Sequence, residues 1–470
     1  MSFVTGIGHL GGVLTGMATE LIDTFTNRVV LPVPILAPVP VGDVLEPIGA
    51  AARSGADMVE RAMDALFGGP GRVDANEART RRRLLAATTV MGTGAAGVSI
   101  VQLHADASGT DWGVKGHESA RVSVYVDGRY HSSVVLLSER DGTYRVNLGS
   151  LTNERHRVEI RDESDMGVAS SAPVVDALRG EALTGTAALV QRYAPVLQLR
   201  DTDASGVHSS SHDDTPLLLV PAVTHEADGS TTIAYRVGFS NENGGTPTPY
   251  LMSKYGRTMD LEPIFKVRIA ADGRVVERTY QSALHQWKPF DGDTMGDRPV
   301  LRVSTANNNY SARVRRAGDG EVRWSEAALD AVSASTTDFD VMRANPWTFT
   351  VTAKEVLREG KTVAAGQRHG YHTIFDPRRY LYVGGLSDAA LGAAKLAGGI
   401  EVVLDDGRHV LARVGEHFAE GGFHQSALEL PDGVSADAVR GVALLGVQAV
   451  VLDARLRMRA VDSLPAAVAA

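Results

Sequence analysis

The chain has 470 residues, which at roughly 150 residues per domain suggests about three domains. Lys plus Arg total 47 against 56 for Asp plus Glu, so the net charge is −9, mild for this length and without the basic excess of a nucleic-acid binder. Cysteine is absent, which removes disulfides, thiolate catalysis, iron–sulfur clusters and zinc–thiolate sites, while a hydrophobic content of 44% is enough to build a core.

Residues 1–75 predict a helical, hairpin-like segment. Val4, Ile7, Leu10, Leu14, Met17, Leu21 and Phe25 recur at steps of three and four, one face of a helix, although Gly6, Gly8, Gly11, Gly12 and Gly16 weaken it in isolation. Pro32, Pro34, Pro38 and Pro40 then favour an extended spacer. A second helix is expected from Val44 to Phe67, with Asp43 and Glu46 at capping-box spacing and Gly68-Gly69-Pro70 as its stop. The pair reads either as a hairpin packed on the rest of the chain or as an anchor or assembly segment.

Residues 79–108 follow the order of an export peptide: Arg81-Arg82-Arg83, an uncharged stretch from Leu84 to Leu103, then Ala105-Asp106-Ala107 as a small-x-small site. The adjacent arginines followed by Leu84-Leu85 resemble a twin-arginine translocation signal. Two other readings stand beside it. One is a membrane span, with association through residues 1–103 and residues 108–470 outside. The other is a Gly/Ala-rich core helix.

After residue 110 the period changes from 3.6 to 2. Val122, Val124 and Val126 alternate with Ser123 and Tyr125, and strands follow at Tyr130–Leu137, Tyr144–Leu148 and Arg155–Arg161, joined by Asp-Gly turns. This predicts a small immunoglobulin-like β-sandwich over 112–175, then a helical connector over 176–192. A larger β-sandwich is expected over 193–376, with strands at 216–223, 231–239, 264–269, 274–280 and 300–305. A C-terminal β-rich segment spans 377–461, including one strand over 450–458. The fold class is therefore mainly β, antiparallel β-sandwich modules preceded by a short helical N-terminal segment. No Gly-x-Ser-x-Gly elbow appears, which disfavours an α/β-hydrolase.

Five polar clusters gather between residues 200 and 310: His208 to Asp214, Ser240 to Thr246, Gly256 to Glu262, His285, and Asn307-Asn308-Asn309. Several adjoin strand ends, where loops can share one rim. Asp260 and Glu262 are two apart, so in extended chain both project from one face. Carboxylates with Asn and His suit a hard divalent cation, which marks Asp260, Glu262, His285, Glu242, His212 and Asp214 as candidate ligands for calcium, magnesium or manganese. Glu242 and His285 are the candidate catalytic bases. His369-Gly370-Tyr371-His372 reads as a structural loop, with two His as a weaker metal pair.

Tyr193-Ala194-Pro195-Val196-Leu197, Ser240-Asn241-Glu242, Asp260-Leu261-Glu262-Pro263-Ile264 and His285 resemble the layout of the Vps62-like and necrosis-inducing (Nep1-like) β-sandwich families over residues 193–290. Those families carry an Asp-Trp-Glu motif entering a strand and a His one or two strands later. Nep1-like members bind a divalent cation near the motif and act on membranes. The resemblance implies such a role for Asp260, Glu262 and His285; Leu261 replaces the Trp, and Met259 stands where a His often precedes the Asp.

Three functions are compatible with these features. The first is an exported cell-envelope or extracellular binding protein for a glycan, lipid headgroup or protein, with a divalent cation site. The second is a secreted metal-dependent hydrolase of a glycan or phosphoester. The third is a cytoplasmic assembly or cargo protein that retains its N-terminal segment.

Overall fold

The computed structural model describes residues 82–163, 172–200, 212–242, 244–313 and 321–465. The helices expected over 1–75 lie outside the described residues, as do His208 to Ser211 and Asn243. The period-two pattern of the sequence becomes strands nearly throughout, and the protein is mainly β.

The first seven strands are β1 (Leu84–Met91), β2 (Val98–Ser108), β3 (Ser119–Val126), β4 (Arg129–Leu137), β5 (Thr143–Gly149), β6 (Arg155–Asp162) and β7 (Ala172–Leu183). They form the run β1-β6-β3-β4 and a separate three-stranded sheet β5-β2-β7. Val90, Val101, Leu103, Val122, Val124, Leu136, Val146 and Val158, drawn from both sheets, share one buried cluster.

Helix α1 (Gly185–Arg192) leads to β8 (Val196–Arg200), β9 (Pro216–His225), β10 (Thr231–Phe239), β11 (Asp260–Ile269), β12 (Val275–Ser282), β13 (Gln286–Pro289), β14 (Thr294–Met295), β15 (Arg298–Val303), β16 (Tyr310–Ser311) and β17 (Glu321–Trp324). These join the first module in one sheet, β1-β6-β3-β4-β17-β8-β15-β16-β12-β11-β10-β9, with β13 on β12 and β14 on β15. Strand β9 is buried on both faces: Leu219 enters a core with Ile233, Tyr235, Phe265 and Leu301, while Leu218 and Val220 enter another with Phe339, Phe349 and Val356. The second core is completed by helices α2 (Asp338–Ala344) and α3 (Trp347–Arg358). The C-terminal strands β18 (Tyr380–Gly384), β19 (Gly399–Leu404), β20 (His409–Arg413), β21 (Ser426–Glu429), β22 (Val439–Val442), β23 (Gln448–Leu452) and β24 (Met458–Ser463) close into a barrel, with helix α4 (Asp388–Ala397) between β18 and β19. Its interior is apolar, including Leu381, Val402, Leu428 and Val451.

Several expectations are corrected. Residues 84–108 are neither a core helix nor a membrane-spanning helix but strands β1 and β2; β1 pairs with β6 and β2 lies between β5 and β7. The glycines that resembled an apolar leader serve close packing: a Cβ on Gly97 would lie 2.6 Å from the Leu183 carbonyl oxygen. The small-x-small site lies inside β2, with Ala105 paired to Val175 and Ala107 to Pro173. Arg82 forms an ion pair with wholly buried Glu163, and Arg83 one with Asp162. The connector over 176–192 is helical only from Gly185, because β2 extends β7 through Leu183. The strand expected over 450–458 is a hairpin, β23 and β24, turning between Asp453 and Arg457. Pairing is not purely antiparallel either, since β8–β15 and β4–β17 are parallel. Among the described residues no helix is long and apolar enough to cross a membrane.

Strand β2 carries Val98, Ile100, Val101 and Leu103, all at 0% exposure. Each large buried side chain removed costs about 2–5 kcal/mol, against a domain stability of roughly 5–15 kcal/mol. A chain beginning at residue 108 is therefore expected to lose the cooperative unfolding transition of its first module, whereas one beginning at residue 82 keeps it. Circular dichroism melts and limited proteolysis of the two chains check this; equal melting curves would refute it.

Candidate functional site

The register of the long sheet brings four of the five polar clusters to one edge. Phe239 at the end of β10 pairs with Asp260 at the start of β11, so Asn241 and Glu242 emerge beside Asp260. Ser282 at the end of β12 pairs with Tyr310, placing His285 near Asn307 and Asn308. Leu284 and His285 both hold left-handed backbone (φ 61° and 54°), as does Asn308 (φ 48°). Non-glycine residues rarely adopt this conformation, and such strain gathers at functional sites.

In this rim cluster Asp260 and Glu242 are each only 2% exposed. Asn308 Nδ2 donates to Asp260 Oδ2 at 2.9 Å, and Thr246 N donates to Glu242 Oε1 at 2.7 Å. Asn307, with its carboxamide oriented to satisfy its neighbours, donates to Glu242 Oε1 and to Gly244 O (2.9 Å) and accepts from His285 Nε2 at 3.0 Å. The other imidazole nitrogen lies 3.4 Å from Glu262 Oε2. His285 is half exposed, so this imidazole is held at both nitrogens yet open to solvent. Arg257 is buried nearby, but its Nε is bound to Asp338 Oδ2 at 2.7 Å, and its Nη1 stands 3.9 Å from Asp260 Oδ1. Burial, then the Glu262 charge, pushes the Asp260 carboxyl up to about 8. Burial and the Asp260 charge push Glu242 well above its ordinary range.

The remaining cluster goes to an adjoining inner site. Asp213 and Asp214 precede β9, and their carboxylates converge with that of Glu355 from α3, ligand atoms all within 4.8 Å of one another. Among the described residues this is the one group of three such side chains that converges so closely. Glu355 is wholly buried; its Oε1 accepts from Asp214 N at 3.1 Å and its Oε2 from Trp112 Nε1 at 3.0 Å. Glu359 lies one turn further on, with Lys361 Nζ at 2.5 Å and Arg358 Nη2 at 3.3 Å. His212 contributes its carbonyl, which accepts from Arg358 Nη2 at 2.6 Å. Burial, then neighbouring acids, pushes Asp214 and Glu355 well up, and Glu359 up to about 7.

Of the residues singled out in the sequence, Glu242, Asp260, Glu262 and His285 share the rim, whereas His212 and Asp214 belong to the inner site. Glu355 and Glu359 escaped notice because Thr348, Thr350 and Thr352 make α3 resemble a strand. The capping box of Thr337 and Asp340 at the start of α2 was the available signal of a helical region. Tyr371 was noted only as part of a loop. It is half exposed, and its hydroxyl donates to Gly245 O at 2.6 Å. Gly245 lies against Asn307: a Cβ there would meet the Asn307 carboxamide at 2.1 Å. Met259 and Leu261, where the resembling families carry His and Trp, are core residues.

No protein-family model, no characterised protein and no solved structure matches this chain.

An acid whose proton affinity is higher in the folded state binds more protons folded than unfolded between the two values. For Asp260 that interval runs from 3.8 to about 8, so its contribution to stability is lost as pH rises through the interval. Glu242, Asp214, Glu355 and Glu359 act in the same direction. Buried His131, pushed down to about 3, acts in the opposite sense below about pH 6.5; in chelator, the melting temperature is therefore expected to fall from about pH 7 to about pH 8, and Asp260→Asn to make the fall shallower. A level or rising melting temperature over that interval would refute the assignment.

Proposed function

We propose that the chain is a carbohydrate-binding protein, built from β-sandwich modules, with the rim around His285 and Tyr371 as its ligand face. The observation that carries this reading is the chain of contacts Tyr371–Gly245–Asn307–His285–Glu262, which sets a half-exposed aromatic ring beside planar polar groups fixed by hydrogen bonds. A ring of this kind covers the apolar face of a sugar, while carboxylate, carboxamide and imidazole groups engage its hydroxyls. The weak likeness of residues 193–290 to Vps62-like and Nep1-like proteins adds a β-sandwich setting for this rim.

Binding accounts for the site better than hydrolysis. Of the two candidate bases, Glu242 is sealed from solvent, and half-exposed His285 already donates its Nε2–H to Asn307 and turns its Nδ1 to Glu262, an arrangement that suits orientation of a bound ligand better than proton abstraction. In this reading residues 82–108 remain with the working protein, because a cut after Ala107 would remove β1 and β2.

The test is binding of the full chain to cell-wall polysaccharides and to soluble oligosaccharides, with anionic lipid vesicles and unrelated proteins as the competing ligand classes. His285→Ala and Tyr371→Ala are each expected to weaken glycan binding about tenfold, or ~1.4 kcal/mol, with little change in melting temperature. Retention of full affinity by both variants, or binding to vesicles alone, would overturn the proposal.

A further inference from the structure

We infer that the glycan taken by the rim is an acidic oligosaccharide that runs from Tyr371 past His285 to Trp287, where a uronate unit stacks on the indole and its carboxylate meets the ammonium of Lys266. The inference rests on the carbohydrate reading and adds to it the length and the charge of the ligand. Of the four tryptophans, Trp112 and Trp324 are buried and Trp347 packs against a core, whereas Trp287 is 37% exposed. An indole carries much apolar surface that folding would otherwise bury, and tryptophan is enriched where binding energy concentrates.

The sheet sets this indole beside the rim. Trp287 stands on β13, shortly after His285, and pairs with Gln281 of β12. The Gln281 carboxamide, oriented to satisfy its neighbours, donates to Glu262 Oε2 at 2.9 Å, and Glu262 lies 3.4 Å from His285. Glu262, His285 and Asn307 thus lie between two open rings along one chain of contacts, with Tyr371 reached through Gly245 and Trp287 through Gln281. One sugar ring covers one aromatic side chain, so two rings about a polar centre call for a ligand of several units.

Lys266 sets the charge. It is exposed on β11 and pairs with Thr279, which shares the outward face of β12 with Gln281, while Tyr280 between them enters the core. Its Nζ stands 4.0 Å from the centre of the Trp287 ring, a cation–π contact. Among the described residues Lys266 forms no ion pair, whereas Arg268 on the same strand is paired with Asp228. A sugar arriving at the indole would therefore meet an ammonium that no protein carboxylate neutralises, and a uronate supplies the opposite charge. The flexible lysine stem lets the ammonium leave the ring face for that carboxylate, which frees the face for the sugar.

The experiment titrates the full chain by calorimetry with galacturonate, glucuronate and mannuronate oligomers of two and of six units, and with their methyl esters, which keep the backbone and lose the charge. A six-unit acid is expected to bind about tenfold more tightly than its ester and than the two-unit acid, and the advantage over the ester is expected to shrink in high salt. Lys266→Met is expected to erase the preference for acid over ester, and Trp287→Ala to weaken six-unit binding about tenfold. Should Trp287→Ala fail to fold, Lys266→Met and protection of the exposed indole from acrylamide quenching by the six-unit acid decide the matter. Equal binding of acids and esters, or full six-unit affinity in both variants, would overturn the inference; the carbohydrate reading would survive that result if His285→Ala still weakened binding. Binding of no glycan at all would overturn both.

Discussion

The cost of taking carboxyl groups out of water governs the centre of this protein. Asp214, Glu242, Asp260 and Glu355 are each at most 2% exposed, and all lie around the starts of β9 and β11 and the end of β10. A buried carboxylate must be hydrogen-bonded, paired, protonated or bound to a cation. Hydrogen-bond donors meet part of this demand: the carboxamide of Asn308, the indole of Trp112 and the backbone N–H groups of Asp214 and Thr246. Arg257 is the nearest buried cation to Asp260, but it is bound more closely by Asp338. The rise in proton affinity at these acids is the same demand seen from the side of the proton.

A buried cation solves the opposite problem elsewhere. Arg298, at the start of β15, is 1% exposed and is held by oxygen dipoles: Ala194 O at 2.8 Å, Asn147 O at 2.6 Å and Ser325 Oγ at 2.7 Å. Burial pushes it down to about 9. Those oxygens come from the first module, the approach to β8 and the segment after β17. One guanidinium thus fastens the first module to the long sheet, in the region where β4 and β17 meet through the single pair Ser133 and Trp324. The planar fork of arginine suits this role, since its donors reach several acceptors at fixed angles.

Much of the β architecture was legible because alternation marks strands with one polar face. The strand expected over 231–239 is β10, and the polar clusters at the ends of β10, β11 and β12 do meet, as their positions beside strand ends suggested. Segments whose local character disagrees with their tertiary setting were not legible. Residues 84–103 are uncharged and rich in Gly and Ala, so composition favoured a leader or a helix, yet pairing with β5, β6 and β7 places them in strands β1 and β2. Helix α3 errs the other way, since its threonines favour a strand while its neighbours in the core impose a helix. The inner site needs a residue from each kind of segment, so no local motif announces Asp214 beside Glu355.

The two acidic sites are joined by a run of hydrogen bonds, and this gives their proximity a mechanical meaning. Thr215 N donates to Ser240 Oγ at 2.9 Å and Ser240 N returns a bond to Thr215 O at 2.8 Å, locking the start of β9 to the end of β10. Asn241 then reaches Glu359 with its side chain, while its carbonyl accepts from Asn308, the same carboxamide that holds Asp260. Asn308 in turn adjoins Asn307, which orients His285. Whatever fixes the charges around Asp214 and Glu355 therefore also fixes the backbone from which the rim projects. The strained residues Asp214, His285 and Asn308 lie along this path, where a dense network of buried hydrogen bonds can hold backbone conformations that isolated loops would not keep.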